Sequence, residues 1–419
     1  MPGAPDLAWR DISDFEDRFE AHIDGLVVGE DLALTICREQ AAKGDFGELH
    51  AAVCVFCRQK RKDLILEVLE GLDTENVEKM QAFRDALKNE FPEEWCNDFF
   101  RMLPGDDLNS IVLLSDVFGY RRMKAGSAFS RILDDIPSGA LPSVIRTLGR
   151  LREEGSRPAL LRHIEHEDES VCLAAALALL RLSEPKVITD CLMKASVRNW
   201  PFLPLALGGN RSAVDTLLAQ ARSRAGFDCL EALGLLGDIS AVDVLLAHLN
   251  NKDLAEPAAL ALNLITGAEL YEDAFIPDEP GEDELFEGEV EKLKRGGRLY
   301  PPGEQPGAVV ARLSQKTEDW SRWWTGRRSE FVSGIRYRNG KPYSPACLLE
   351  NLESARSPRH VRQLAYEELV IRYGADFPFE TDMPAAQQKR AISQYARWIK
   401  ANGSRFHDGQ WYFAGQLMA

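Results

Sequence analysis

The chain has 419 residues and a formal net charge of −16 at pH 7. A hydrophobic fraction of 45% with 9% aromatics excludes wholesale disorder and leaves room for two or three domains, or one domain with a repeat array. The acidic balance argues against a general nucleic-acid binder, because phosphate contact needs a basic footprint.

No apolar run reaches the roughly 20 residues that a spanning helix needs. The first stretch, MPGAPDLAWRDISDFEDRF, is acidic and lacks a hydrophobic signal core, so a cytoplasmic protein without membrane attachment is expected. The eight cysteines (Cys37, Cys54, Cys57, Cys96, Cys172, Cys191, Cys229 and Cys347) lie mostly in apolar helical text. That is the pattern of buried free thiols in a reducing compartment.

In chain order, residues 11–120 are helical in pattern without a clear repeat. Phe15, Phe19, His22, Ile23 and Leu26 keep helical spacing up to Gly29. Further helices are predicted over 32–42, 46–58 and 63–72, the first of them ended by Lys43-Gly44-Asp45. Between 128 and 267 the text repeats: Leu148, Leu179, Leu205, Leu233 and Leu262 fall on equivalent positions 26 to 31 residues apart.

The fullest unit is 224–267. Leu233-Gly234-Leu235-Leu236-Gly237 buries one helix face and stops at a glycine free to take positive φ. Ser240 is expected to cap the next helix, with Asp243 closing a capping box, and Val242, Leu245, Leu246 and Leu249 form its apolar stripe. In the third unit Trp200-Pro201-Phe202-Leu203-Pro204 predicts a shortened or kinked first helix. A helix pair of this length cannot bury its apolar face alone and must stack on neighbours. The expected fold is all-α, an α-solenoid of helix pairs.

Composition then changes. Residues 269–291 are strongly acidic with interior prolines, and 296–307 read GGRLYPPGEQPG, which predicts an exposed connector. Beyond it a helix is expected over 309–324, carrying Trp320, Trp323 and Trp324. A β-hairpin follows over 334–343, with Asn339-Gly340 as its type I′ turn. Three helices near 345–354, 358–373 and 385–401 and a short strand at 409–415 complete a small α-rich module. The expected divisions are 1–125, 126–268, 269–307 and 308–419.

Few residues suggest chemistry. His50, Cys54 and Cys57 share a helical face, yet no fourth zinc ligand accompanies them. His163, Glu165, His166, Glu167 and Asp168 form a polar knot between two repeat helices. No phosphate loop or nucleophile motif occurs. No catalytic residue, cofactor or metal is therefore expected. Two features point to a protein partner instead. The connector carboxylates Asp278, Glu279, Glu282, Asp283 and Glu284 would attract a basic surface, and Trp324 and Trp411 would anchor it.

The Ala232–Asp238 text with Ala241-Val242 resembles the HEAT-like repeats of the bilin-lyase type, which also occur in proteins that only bind other proteins. Two other stretches, Arg18-Phe19-Glu20-Ala21-His22-Ile23-Asp24-Gly25-Leu26 and the C-terminal run through Gly334-Ile335-Arg336-Tyr337, Ala365-Tyr366-Glu367-Glu368-Leu369, Arg372-Tyr373-Gly374 and Pro378-Phe379-Glu380, resemble an uncharacterised bacterial HEAT-repeat family. Members of that family are often encoded beside type VI secretion genes. The resemblance implies a non-enzymatic scaffold that binds a secreted toxin or secretion component, as immunity protein or adaptor. The alternative is a repeat-scaffold enzyme of the bilin-lyase-like type.

Overall fold

All five leucines of the repeat register are buried, with 0 to 1% of their surface exposed. The structure, a computed structural model, describes residues 8–101, 108–277, 285–301 and 305–418. The first half runs through α1 (Ser13–Val28), α2 (Glu30–Lys43), α3 (Phe46–Arg58), α4 (Lys62–Gly71), α5 (Val77–Glu90), α6 (Cys96–Phe100), α7 (Leu108–Tyr120), α8 (Gly126–Ile132) and α9 (Leu141–Arg150). It continues through α10 (Arg157–His163), α11 (Glu169–Arg181), α12 (Lys186–Lys194), α13 (Phe202–Gly208), α14 (Arg211–Arg224), α15 (Phe227–Leu236), α16 (Val242–His248) and α17 (Ala255–Thr266).

Eleven of these helices fall in two rows. Helices α3, α5, α7, α9, α11, α13, α15 and α17 pack each on the next, while α12, α14 and α16 line up behind them. Close approach along the first row depends on small residues. A Cβ on Gly149 would stand 2.7 Å from Ala178 Cα, and one on Gly234 would stand 2.6 Å from Ala261 Cα. Only glycine allows these crossings.

Helices α7, α9 and α11 also share one ending. Arg122, Arg152 and Ser183 take φ of 56°, 52° and 59°. In each case the next N–H returns to a carbonyl in the last turn, Met123 to Phe118, Glu153 to Leu148 and Glu184 to Leu179, at 2.9 to 3.0 Å. Gly237 closes α15 with φ +74°, as the sequence predicts. The first helix of the degenerate unit, α13, is indeed only 7 residues long. The cap of α16 differs from expectation. A 3₁₀ turn, Ile239–Ala241, intervenes, and the capping side chain is Asp238, which accepts the backbone N–H of Ser240 at 2.9 Å.

The remaining described elements are β1 (Tyr271–Pro277), α18 (Glu287–Lys294), β2 (Gly307–Leu313), α19 (Thr317–Arg327), β3 (Tyr337–Arg338), β4 (Lys341–Pro342), α20 (Pro345–Glu353), α21 (Arg359–Tyr373), α22 (Ala385–Asn402), β5 (Tyr412–Phe413) and β6 (Gln416–Leu417). Strands among the described residues occur only as antiparallel pairs, β1 with β2, β3 with β4 and β5 with β6, so the fold is all-α. The β3–β4 turn has Asn339 and Gly340 at φ 53° and 75°, the signs a type I′ turn requires.

The connector region is less irregular than its composition predicts. Its first residues form β1, which pairs Tyr271 with Leu313 through to Pro277 with Gly307. Residues 309–313 are therefore strand, and the tryptophan helix starts only at Thr317. The β-branched pair Val309-Val310 suits a cross-strand partner better than a helix turn.

Seven of the eight cysteines are buried and Cys96 is half-buried. Burial pushes the Cys54 and Cys229 thiols up to about 12. At pH 8 a thiol reagent is expected to label Cys96 alone at an appreciable rate, the others only after denaturant is added. Several rapid equivalents in the native protein would contradict this packing.

Candidate functional site

Every helix leaves its last carbonyls without intrahelical donors, and its dipole concentrates partial negative charge there. In this protein the C-terminal segment brings donors to those ends. Arg336 Nε donates to Leu236 O at 2.8 Å, and Arg338 Nη2 to Leu235 O at 3.1 Å, both at the end of α15. Arg372 donates to Ala206 O at 2.8 Å and Gly209 O at 3.2 Å, at the end of α13. The N–H groups of Asn339 and Gly340 reach Leu264 O and Ile265 O at 2.7 and 3.1 Å, in the last turn of α17.

Glu368 sits among these arginines. Its Oε2 accepts from Arg338 at 2.6 Å and its Oε1 from the Tyr343 hydroxyl at 2.6 Å, with Arg336 and Arg372 at 3.7 and 3.8 Å. All four charged side chains are fully buried. Burial, and after it the neighbouring Arg372, lowers the Arg336 guanidinium to about 10, which still leaves it cationic at neutral pH. Three cations face one carboxylate, and the helix carbonyls supply the rest of the negative potential. This cluster fastens the segment to the stack. Its charged side chains are fully buried, so it offers a ligand no surface.

The expected aromatic anchors belong to the same interior. Trp411 is 8% exposed and its ring lies 4.4 Å from the Arg336 guanidinium carbon, covering the buried cation. Trp324 is 6% exposed and packs against Phe331 with ring centres 5.3 Å apart. Trp320 and Trp324, one turn apart, share the buried face of α19. Neither Trp324 nor Trp411 can anchor a partner from this position. Asp278, Glu279, Glu282, Asp283 and Glu284 lie outside the described residues.

The other sequence candidates are committed to local structure. Cys54 and Cys57 are core residues, and His50 Nδ1 is 3.1 Å from Ala82 O. His166 Nδ1 accepts the Asp168 N–H at 3.0 Å, Asp168 caps α11, and Glu165 pairs with Lys194 at 2.7 Å. Among the described residues no group of three His, Cys, Asp or Glu is placed to hold a metal ion. No helix among them is long and apolar enough to cross a membrane.

What stays open lies where the chain's two ends meet. The Ala385 N–H donates to Glu16 Oε2 at 2.8 Å, and Lys88 pairs with Asp382 at 3.1 Å. Between α1, α3, α5 and the start of α22 is a cleft of about 900 Å³, lined by Phe15, Phe19, His50, Lys88, Asp382 and Arg390 among others. A groove of about 850 Å³ adjoins it and shares Phe19, His50, Gln81 and Asp85, with Phe46, Val77 and Glu78 added.

The walls carry large apolar side chains in water. Phe15 is 44% exposed, Phe19 36%, Phe46 54% and Val77 79%. Phe15, Phe19 and Ile23 keep one helical spacing, yet only Ile23 is buried. A local signal for the groove does exist: Phe46 and Val77 each open a helix directly after an Asx cap, Asp45 and Asn76, off the buried stripe. Burial raises the Glu16 carboxyl above its ordinary range, against the lowering effect of the Ala385 N–H.

A comparison with known protein families gives no match, and a comparison with curated proteins gives none either.

Proposed function

We propose that the two rows of helices form an α-solenoid scaffold that binds another protein without catalysing a reaction, and that the N-terminal cleft is where the partner docks. The observation that carries this reading is the contiguous exposure of Phe15, Phe19, Phe46 and Val77 at the first end of the stack. Apolar side chains left open side by side along a groove argue for a covering partner. The C-terminal segment takes the helix ends along one edge for itself, which leaves the cleft as the better surface.

The resemblance of the chain's two ends to a family encoded beside type VI secretion genes supports a setting. The partner would be a toxin to be neutralised or a component to be delivered, and the scaffold would act in the cytoplasm. Of the residues that carry this resemblance, Phe19 and Glu20 line the cleft.

The test uses the immobilised full chain with extract of the native host. A partner held by the wild type should be lost with Phe46→Asp/Val77→Asp and kept by a control, Met193→Asp/Val197→Asp, which alters exposed apolar residues elsewhere. Equal retention by the groove variant would remove the cleft from the proposal.

A further inference from the structure

Resting on the reading of this cleft as a docking site, we infer that its occupant is a basic amphipathic helix of another protein, with its apolar face on Phe19, Phe46 and Val77 and its cations toward Glu78 and Asp85. The groove walls are helices, α1, α3 and α5, and offer no open strand edge for an extended peptide. A groove between helices suits a third helix presenting anchors at i, i+4 and i+7.

Charge selects the sign of that helix. Ser13–Glu90 holds 18 acidic and 10 basic residues, a net −8 and half the charge of the whole chain. Of the four Lys and Arg residues lining the cleft two are held in ion pairs, and the other two, Arg359 and Arg390, do not line the adjoining groove, whose charged residues are Glu78 and Asp85. Arg58 pairs with Glu20, Asp24 and Glu90 at 2.5 to 3.0 Å, and Lys88 with Asp382. Glu78 has no ion-pair partner among the described residues, and Asp85 keeps a longer pair with Lys88 at 3.5 Å. His50 adds an acceptor on the floor. Its Nδ1 faces a carbonyl and must carry the proton, so Nε2 keeps a lone pair for an incoming N–H. A second copy of this chain would bring the same negative region against itself, and an anionic lipid surface would be repelled as well.

The probes are three labelled 14-residue peptides, titrated into the full chain at low and moderate salt. One places leucines at i, i+4, i+7 and i+11 with lysines on the opposite face; the second has the same composition scrambled; the third replaces each lysine with glutamate. The first should bind about tenfold more tightly than either other, since one such factor needs only about 1.4 kcal/mol. Phe19→Asp/Val77→Asp should cost about tenfold or more. Glu78→Gln/Asp85→Gln should weaken binding and flatten its salt dependence. Melting temperature and helicity of the variants confirm that these exposed positions leave the fold intact.

Equal binding of the scrambled peptide would overturn the inference by reducing it to bulk charge attraction. Preferred binding of the glutamate peptide, no binding of any peptide, or binding untouched by the groove variants would overturn it too. The docking reading fails separately, if the host partner ignores Phe46→Asp/Val77→Asp.

Discussion

Glu368→Gln is expected to cost about 3–5 kcal/mol of stability, the usual loss when one side of a buried ion cluster is removed. The side chain is fully buried and is within 3.8 Å of Arg336, Arg338 and Arg372. Glutamine keeps the shape and can still accept one hydrogen bond, but it leaves three guanidinium groups without the one close counter-charge they have among the described residues. They cannot turn to water, because each is already held by a helix-end carbonyl. Denaturant unfolding of both proteins gives the difference. The double variant Glu368→Gln/Arg338→Met should lose less than the sum of the single changes, because it removes both members of the 2.6 Å pair. A single-variant loss under about 1 kcal/mol would mean that the carboxylate is not what balances these cations.

Leu245→Ala should cost about 2–5 kcal/mol. Leu245 is fully buried in α16, between the rows, and truncation leaves a cavity there. Where the damage spreads is the more informative result. From repeat logic alone, the neighbouring repeats should open before the C-terminal module does. The hydrogen bonds predict something different. Arg336 and Arg338 hold carbonyls of α15, and Asn339 and Gly340 hold carbonyls of α17. Loosening α15–α17 therefore releases the β3–β4 hairpin. Hydrogen exchange of the variant should show residues 336–343 losing protection together with α15 to α17. Protection of 336–343 while those helices open would mean that the arginines contribute little to fastening the segment.

The helices themselves could be read directly. Leu148, Leu179, Leu205, Leu233 and Leu262 mark buried faces because helical periodicity is a property of a few consecutive turns. Gly237 stopping α15, Asn339-Gly340 turning a hairpin and the two prolines shortening α13 are equally local. Where a strand needed a partner far along the chain, local reading failed. Val309 and Val310 look helical in sequence until Phe275 and Ala274 stand opposite them.

The site was hidden for the same reason, enlarged. Trp411 reads as a surface anchor, and only the arrival of Arg336 beneath its ring makes it interior. Phe19 keeps the same helical spacing as Ile23, yet Ile23 is buried while Phe19 lines the open groove. The hydrogen bond from Ala385 to Glu16, which brings the cleft's walls together, spans 369 residues. Spacing and capping determine what a segment becomes over its own few turns, where backbone hydrogen bonds and one apolar stripe decide the free energy. Which of its faces ends in solvent depends on desolvation by elements hundreds of residues away, and that was decided only when the chain's two ends packed together.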